Sequence, residues 1–153
     1  MTLKDNLAGV LWEADRHLAV LTEALEEWNR LPTITWQLLE GDHARVRIVD
    51  QILFRFIKLQ DTVGERLIPA TLASLYEPLE DRPMRDRLNR LEKLGYLDVD
   101  HWLSWREIRN KLAHEYPDQP DIRFASLLAA IGAAKALATL YQNWRARLET
   151  SIK

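Results

Sequence analysis

The sequence predicts an all-α protein, an up-and-down antiparallel bundle of four to five helices in one domain covering residues 1–153. Apolar residues recur at intervals of three to four along most of the chain, as they do on one face of a helix. No β-branched run alternates with polar residues, and the Asn-Gly and Asp-Gly pairs of tight hairpins do not occur. Short connections between the expected helices favour antiparallel neighbours.

The first half of the chain predicts two long helices. Thr2 can cap the first helix, whose leucine pattern continues until Leu31-Pro32-Thr33 interrupts it. A broad apolar stripe predicts a second helix from about Asp42. Gly64 and Pro69 indicate a bend or break, after which a short helical segment is expected over residues 70–75.

Two further helices are expected after a proline-containing linker over residues 78–83. Asp81 is the expected N-cap of the third helix, and Gly95 is expected to take the left-handed conformation just beyond its end. The fourth helix should open at Asp98 or Asp100 and bury a face that carries tryptophans.

The fifth helix is expected from about Pro120 to Arg147, with Asp118 as its cap. Its most apolar part, residues 125–140, is interrupted by polar side chains and reads as too short and too amphipathic to span a bilayer. The first residues lack a basic stretch followed by an apolar core, so no signal peptide is expected. A cytoplasmic protein without a membrane partner is the expectation.

Composition narrows the possible chemistry. The chain contains no cysteine, which excludes disulfides and thiolate metal sites, and its histidines show no paired spacing for a metal. A net charge of −2 predicts no bulk attraction to nucleic acid. Basic residues do outnumber acidic ones over residues 82–111, either as a phosphate-contacting face or as an ordinary solvated surface.

The end of the fourth helix carries the residues with the clearest potential for catalysis. Pro117 disfavours helical geometry at Tyr116, so the helix should stop near His114 or Glu115. Arg109 lies about 140° from His114 around the helix axis, so the two are neighbours that do not share a face. A histidine can move protons at neutral pH, and a guanidinium can hold a phosphate as charge develops. These are the groups that metal-free phosphodiester cleavage requires.

One histidine cannot readily act as both base and acid in a single step, because the two proton transfers lie on opposite sides of the phosphorus. A two-fold homodimer that places two copies of the fourth helix across one cleft would supply the second histidine. The sequence therefore favours a dimeric nuclease on mechanistic grounds.

Arg109, four intervening residues, His114, one residue and Tyr116 together resemble the Arg-x4-His-x-Tyr motif of the HEPN toxins that are paired with minimal nucleotidyltransferase antitoxins. Asn110 matches the polar residue that often follows the motif arginine in that family. The resemblance extends through residues 47–53, 56–61 and 91–96 and the tryptophan-bearing approach to Arg109, and is weakest over the first 40 residues.

The resemblance implies a HEPN-like fold and a metal-independent ribonuclease toxin that acts on RNA rather than DNA as a homodimer and needs no cofactor. Arg109 and His114 would be catalytic, with Asn110 in support. Tyr116 would be the tyrosine that a cognate minimal nucleotidyltransferase antitoxin modifies with AMP, and a bulky anion there would block RNA and compete for Arg109. Independently of the resemblance, Arg109 can form a structural ion pair with Asp61 or another carboxylate of the second helix, and such a pair would also orient the guanidinium.

Several alternatives stay open at this point. His114 alone is also typical of a helix C-terminus, and Tyr116 of a core edge. Trp102 and Trp105 fit packing better than base stacking. The chain can also be a non-catalytic nucleotide- or substrate-binding subunit of a nucleotidyltransferase, or a dimeric scaffold with a degenerate motif. Residues that can contact RNA phosphates, or else form a solvated face, are Arg47, Arg55, Lys58, Arg106 and Lys111.

Overall fold

The computed structural model describes residues 3–151, so the expected Thr2 cap lies outside the described residues. Within them every regular element is a helix, which confirms the all-α prediction. In chain order, the elements are α1 (Leu3–Arg30), α2 (Trp36–Gly41), α3 (His43–Thr62), a π-helical segment (Val63–Leu67), α4 (Ile68–Ser74), α5 (Met84–Lys93), α6 (Val99–Lys111) and α7 (Pro120–Ser151).

The polar contacts between α1 and α3 give the direction of the first two long helices. Thr62 donates to Glu13 at 3.1 Å, and Arg55 donates to His17 at 3.0 Å. Residue numbers therefore rise in α1 as they fall in α3, so the two helices are antiparallel.

Contacts made by α6 and α7 give the directions of the other two long helices. The indole of Trp144 in α7 donates to Thr71 at 3.0 Å, while the ring of Tyr96, just before α6, lies 5.2 Å from that of Trp144. The far end of α6 meets α3 through an ion pair between Arg109 and Asp61. The long helices α1, α3, α6 and α7 thus alternate in direction along the chain, as an up-and-down bundle requires.

A bend or break was expected near Gly64 and Pro69; the helical path does not break there, and the short segment expected over residues 70–75 corresponds to α4. The chain passes from α3 through the π-helical segment into α4, where the N–H of Ile68 bonds to the carbonyl of Val63, five residues back. This wider turn accommodates a proline, whose ring otherwise clashes with a carbonyl one turn earlier, without ending the helix. A Cβ atom at Gly64 would lie 3.2 Å from Trp102, so the glycine lets α6 approach closely.

The helix boundaries confirm some expected signals and correct others. Asp98 caps α6 by accepting from the N–H of His101 at 2.9 Å, and Gly95 has a left-handed φ of 85°. The N-cap of α5 is Pro83 rather than Asp81, because the chain enters this helix only at Met84. Pro120 is the first residue of α7, so Gln119 and not Asp118 precedes its first turn.

The sequence did not predict α2. It is a six-residue helix with a single buried side chain, Leu39, and it packs against α3 and α7. Its place beside the start of α7 brings Glu40 next to Arg123, where the two form an ion pair. This short helix therefore borders the end of the bundle at which α6 stops.

The core is formed by all four long helices, and it buries Trp102, Trp105 and Trp144. Burial of the α6 tryptophans confirms that they pack rather than offer a surface for bases. At 32 residues, α7 has the length and composition of a membrane-crossing helix, which corrects the expectation that this segment is too short. The same features are common to core helices of soluble proteins, and one face of α7 lies in the bundle core.

Candidate functional site

The α6 helix ends at Lys111, three residues before the expected His114. Its last turn tightens, because the N–H groups of Ala113 and His114 bond to carbonyls three residues back, at 3.3 and 3.0 Å. His114 therefore lies on the turn that follows the helix and is exposed to solvent.

Tyr116 has a left-handed backbone with φ of 47°, an uncommon conformation for a residue with a side chain. The expectation that Pro117 keeps it out of the α region is confirmed, although it is left-handed rather than extended. Its carbonyl oxygen accepts two hydrogen bonds, one from the N–H of Gln119 and one from Nη1 of Arg123, each 3.1 Å long. One donor just before α7 and one in its first turn thus hold the Tyr116 carbonyl.

The turn borders a solvent-open groove of about 510 Å³, called the main groove below. The rings of His114 and Tyr116 lie 6.1 Å apart between centroids and are tilted by 54°. The residues that line the main groove are Asp50, Leu53, Lys111, Leu112, His114, Glu115, Tyr116, Pro117, Arg123, Ser126 and Leu127. A histidine, a tyrosine, two basic and two acidic side chains therefore share one concave surface with the volume of a ligand site.

Arg109 occupies a different position. Its Nη2 lies 2.9 and 3.0 Å from the two carboxylate oxygens of Asp61, and the two side chains are 30% and 31% exposed. Its Nε is buried and has no partner among the described residues. The main groove, as lined by residues 3–151, does not include Arg109, and no hydrogen bond joins it to His114 in that part of the chain. The Asp61 pair that the sequence suggested is present, but it turns the guanidinium toward α3.

The other α6 candidates are distributed along its exposed side. Asn110 and Arg106 are exposed, and Lys111 lines the main groove while lying 3.4 Å from Glu107. Of these three side chains, only Lys111 belongs to the groove.

The three basic residues of α3 do not form one phosphate-tracking surface. Arg47 and Lys58 are exposed, whereas Arg55 is half-buried and its guanidinium bonds to His17 of α1. Eight residues separate Arg47 from Arg55, which turns the second side chain by about 80° around the helix. Burial, and next the positive charge of Arg55, lower the pKa of His17 below its ordinary value.

Three residues near the site were missed by sequence reasoning. Asp50 and Arg123 line the main groove, but no local motif marks either of them. Phe54 is 50% exposed on α3, with the cationic groups of Arg55 and Lys58 lying 5.4 and 5.6 Å from its ring centre. The periodicity of α3 could have identified Phe54, since it lies on the same helical face as Arg47 and Lys58.

Comparison of the chain with protein-family models, with curated proteins and with solved structures gives no match. The resemblance to the HEPN toxins accordingly rests on the residues of this chain. Among residues 3–151, no three histidine or carboxylate side chains converge as metal ligands do.

Proposed function

We propose that the protein is a metal-independent ribonuclease toxin of the HEPN type, which functions in the cytoplasm with a cognate minimal nucleotidyltransferase as its antitoxin. The observation that carries the proposal is the main groove, where His114 is exposed beside Tyr116, Lys111 and Arg123. The imidazole is accessible to a phosphodiester, and Lys111 supplies positive charge in a groove that the carboxylates of Asp50 and Glu115 also line.

In the proposed reaction, the ribose 2′-oxygen attacks the adjacent phosphorus and the bond from phosphorus to the 5′-oxygen breaks. One imidazole takes the 2′-hydroxyl proton while a second protonates the leaving 5′-oxygen, which gives a 2′,3′-cyclic phosphate and a 5′-hydroxyl. His114 provides these imidazoles, and Arg109, supported by Asn110 and oriented by Asp61, stabilises the charge on the non-bridging oxygens.

The need for two imidazoles favours a symmetric homodimer. Large apolar side chains exposed on the helices next to the site support it, because Phe54 of α3 and Leu103 of α6 are 50% and 51% exposed. Burying such side chains against a second copy would place α3 and α6 at a two-fold interface.

Tyr116 is the proposed acceptor of AMP from the antitoxin. Its phenolic oxygen would attack the α-phosphorus of ATP, releasing pyrophosphate and losing its proton to solvent. The attached nucleotide would then lie at the main groove, close to His114, and exclude an RNA phosphate by volume and by charge.

The test is RNA cleavage by the purified protein and its His114→Ala variant, with His101→Ala as the matched control. His101 is also on α6 and is 71% exposed, but it lies at the opposite end of the helix. We expect His114→Ala to abolish cleavage and toxicity without loss of helicity, the control to cleave as the parent does, and EDTA to have no effect. Cleavage that persists in the His114→Ala protein would contradict the proposal.

A second candidate function is a non-catalytic nucleotide-binding subunit of a nucleotidyltransferase. The observation that favours it is the neutralisation of Arg109 by Asp61, away from the main groove. Calorimetric titration with ATP and AMP separates the two functions. Micromolar nucleotide binding together with no cleavage of any tested RNA would favour the binding subunit.

A further inference from the structure

Arg123 joins the Tyr116 turn to another helix. It lies in the first turn of α7, donates to the Tyr116 carbonyl at 3.1 Å, and forms an ion pair with Glu40 of α2. It also lines both the main groove and a neighbouring groove of about 260 Å³, to which Trp36 and Phe124 contribute. The guanidinium of Arg123 therefore links the Tyr116 backbone to Glu40 of α2.

This contact reaches a residue with an uncommon backbone conformation, Tyr116. A left-handed backbone is unfavourable for a residue with a Cβ atom, so other interactions must hold it. The Tyr116 carbonyl has two donors, and only the one from Arg123 is charged, which makes it the stronger. Loss of Arg123 would leave the Gln119 N–H alone to hold the turn.

We propose that Arg123 is a positioning residue that fixes Tyr116 beside His114 in the main groove. In this proposal Glu40 of α2 holds the Arg123 side chain in the required position through its ion pair. The consequence for catalysis and AMP transfer rests on the proposed function, but the positioning itself does not. A partner or ligand that displaced α2 would release Arg123 and alter how both rings are presented.

The test compares Arg123→Gln, Arg123→Lys and Glu40→Gln in the full chain by NMR, with Arg82→Gln as the control. Arg82 is an exposed residue in the loop before α5, remote in sequence from the site. Two signals report on the turn: exchange of the Gln119 amide proton, which is bonded to the Tyr116 carbonyl, and the ring contacts between Tyr116 and His114.

We expect Arg123→Gln to speed exchange of the Gln119 amide about tenfold and to weaken the ring contacts, because a charge-assisted hydrogen bond is lost. Arg123→Lys should restore part of both signals, since lysine keeps the charge but not the planar fork. Glu40→Gln should give the same changes to a smaller extent. Because this variant retains the arginine at position 123, it tests the positioning role even where Arg123→Gln folds poorly.

Wild-type exchange and ring contacts in both Arg123→Gln and Glu40→Gln would overturn the proposal. The RNA assay is a separate arm. If the parent protein cleaves RNA, Arg123→Gln should change kcat and the pH profile more than KM, because it displaces the imidazole environment rather than the binding surface. If the parent does not cleave RNA, the ribonuclease proposal fails. The NMR signals test the positioning role of Arg123 independently of that result.

Discussion

Replacing Asp61 with alanine tests whether the ion pair on α3 prepares Arg109 for catalysis. The pair is close, at 2.9 and 3.0 Å, and each side chain is about one-third exposed. Removing one partner costs about 3–5 kcal/mol for a fully buried pair and about 0–1 kcal/mol for a surface pair. With this partial exposure, and with Arg109 Nε already unpartnered, we expect a loss of about 1–2 kcal/mol.

In a protein of this size, 1 kcal/mol corresponds to a shift of about 2–4 °C in Tm, so Asp61→Ala should melt about 2–8 °C lower. The kcat for RNA cleavage should fall about 10–100-fold, because a guanidinium that is no longer oriented samples many unproductive positions. Thermal unfolding followed by circular dichroism, together with initial rates on a fluorescent RNA, measures both effects. Asp81 is an exposed carboxylate in the loop between α4 and α5, so the control Asp81→Ala should change neither Tm nor kcat.

A double-mutant cycle with Arg109→Ala separates orientation from general stability. If the two residues act as a unit, the double variant should lose less stability and activity than the sum of the single losses, with a coupling of about 1 kcal/mol. Additive losses in both measurements, or an Asp61→Ala protein as active as the parent, would refute the reasoning.

Three further predictions follow from single contacts. The pKa of His17 is lowered in the folded chain from the ordinary imidazole value of 6.5. Just below pH 6.5 the unfolded chain therefore binds a proton at His17 that the folded chain does not bind. The free energy of unfolding should accordingly fall as the pH drops from 6.5 toward the lowered pKa. His17→Gln should flatten that slope in urea titrations at several pH values, and an unchanged slope would contradict this origin. Thr71→Val removes the acceptor of the buried Trp144 indole and should cost about 1–3 kcal/mol in urea unfolding with no change in m value; a loss near zero would mean that the indole N–H finds another partner. Phe54→Glu should convert a dimer to a monomer in sedimentation equilibrium, and a dimer of unchanged strength would show that α3 lies outside the interface.

The fold was predictable where the signal is local or periodic. The long helices follow from apolar spacing, and Asp98 and Gly95 mark their helix ends because capping and left-handed geometry depend on neighbouring backbone groups. The short helix α2 was missed because six residues contain less than two turns of any pattern. The π-helical segment was missed because Pro69 usually signals a break, and the wider turn that avoids one depends on how the helices pack.

The site was predictable only in part, for a related reason. A motif within eight residues identifies Arg109, His114 and Tyr116, and the sequence also suggested Asp61 as the arginine's partner. It could not identify Arg123, because the Tyr116 carbonyl and the Glu40 carboxylate meet there only after α2 and α7 have packed together. Contacts that depend on tertiary packing leave no spacing rule in the chain.

The end of α6 separates the two motif side chains, and this bears on the dimer. Arg109 is within the regular helix and faces α3, whereas His114 follows a tightened turn and faces the main groove between α3 and α7. Phosphodiester cleavage needs a cation and an imidazole at the same phosphorus. In one protomer Asp61 orients Arg109 outside the main groove, so a phosphate bound beside His114 would receive this cation from a second copy. The basic side chains that line the groove, Lys111 and Arg123, lie against Glu107 and Glu40, whereas a second copy would add another Arg109 and another His114. The geometry of a single chain therefore gives the proposed homodimer a second reason, independent of the need for two proton transfers.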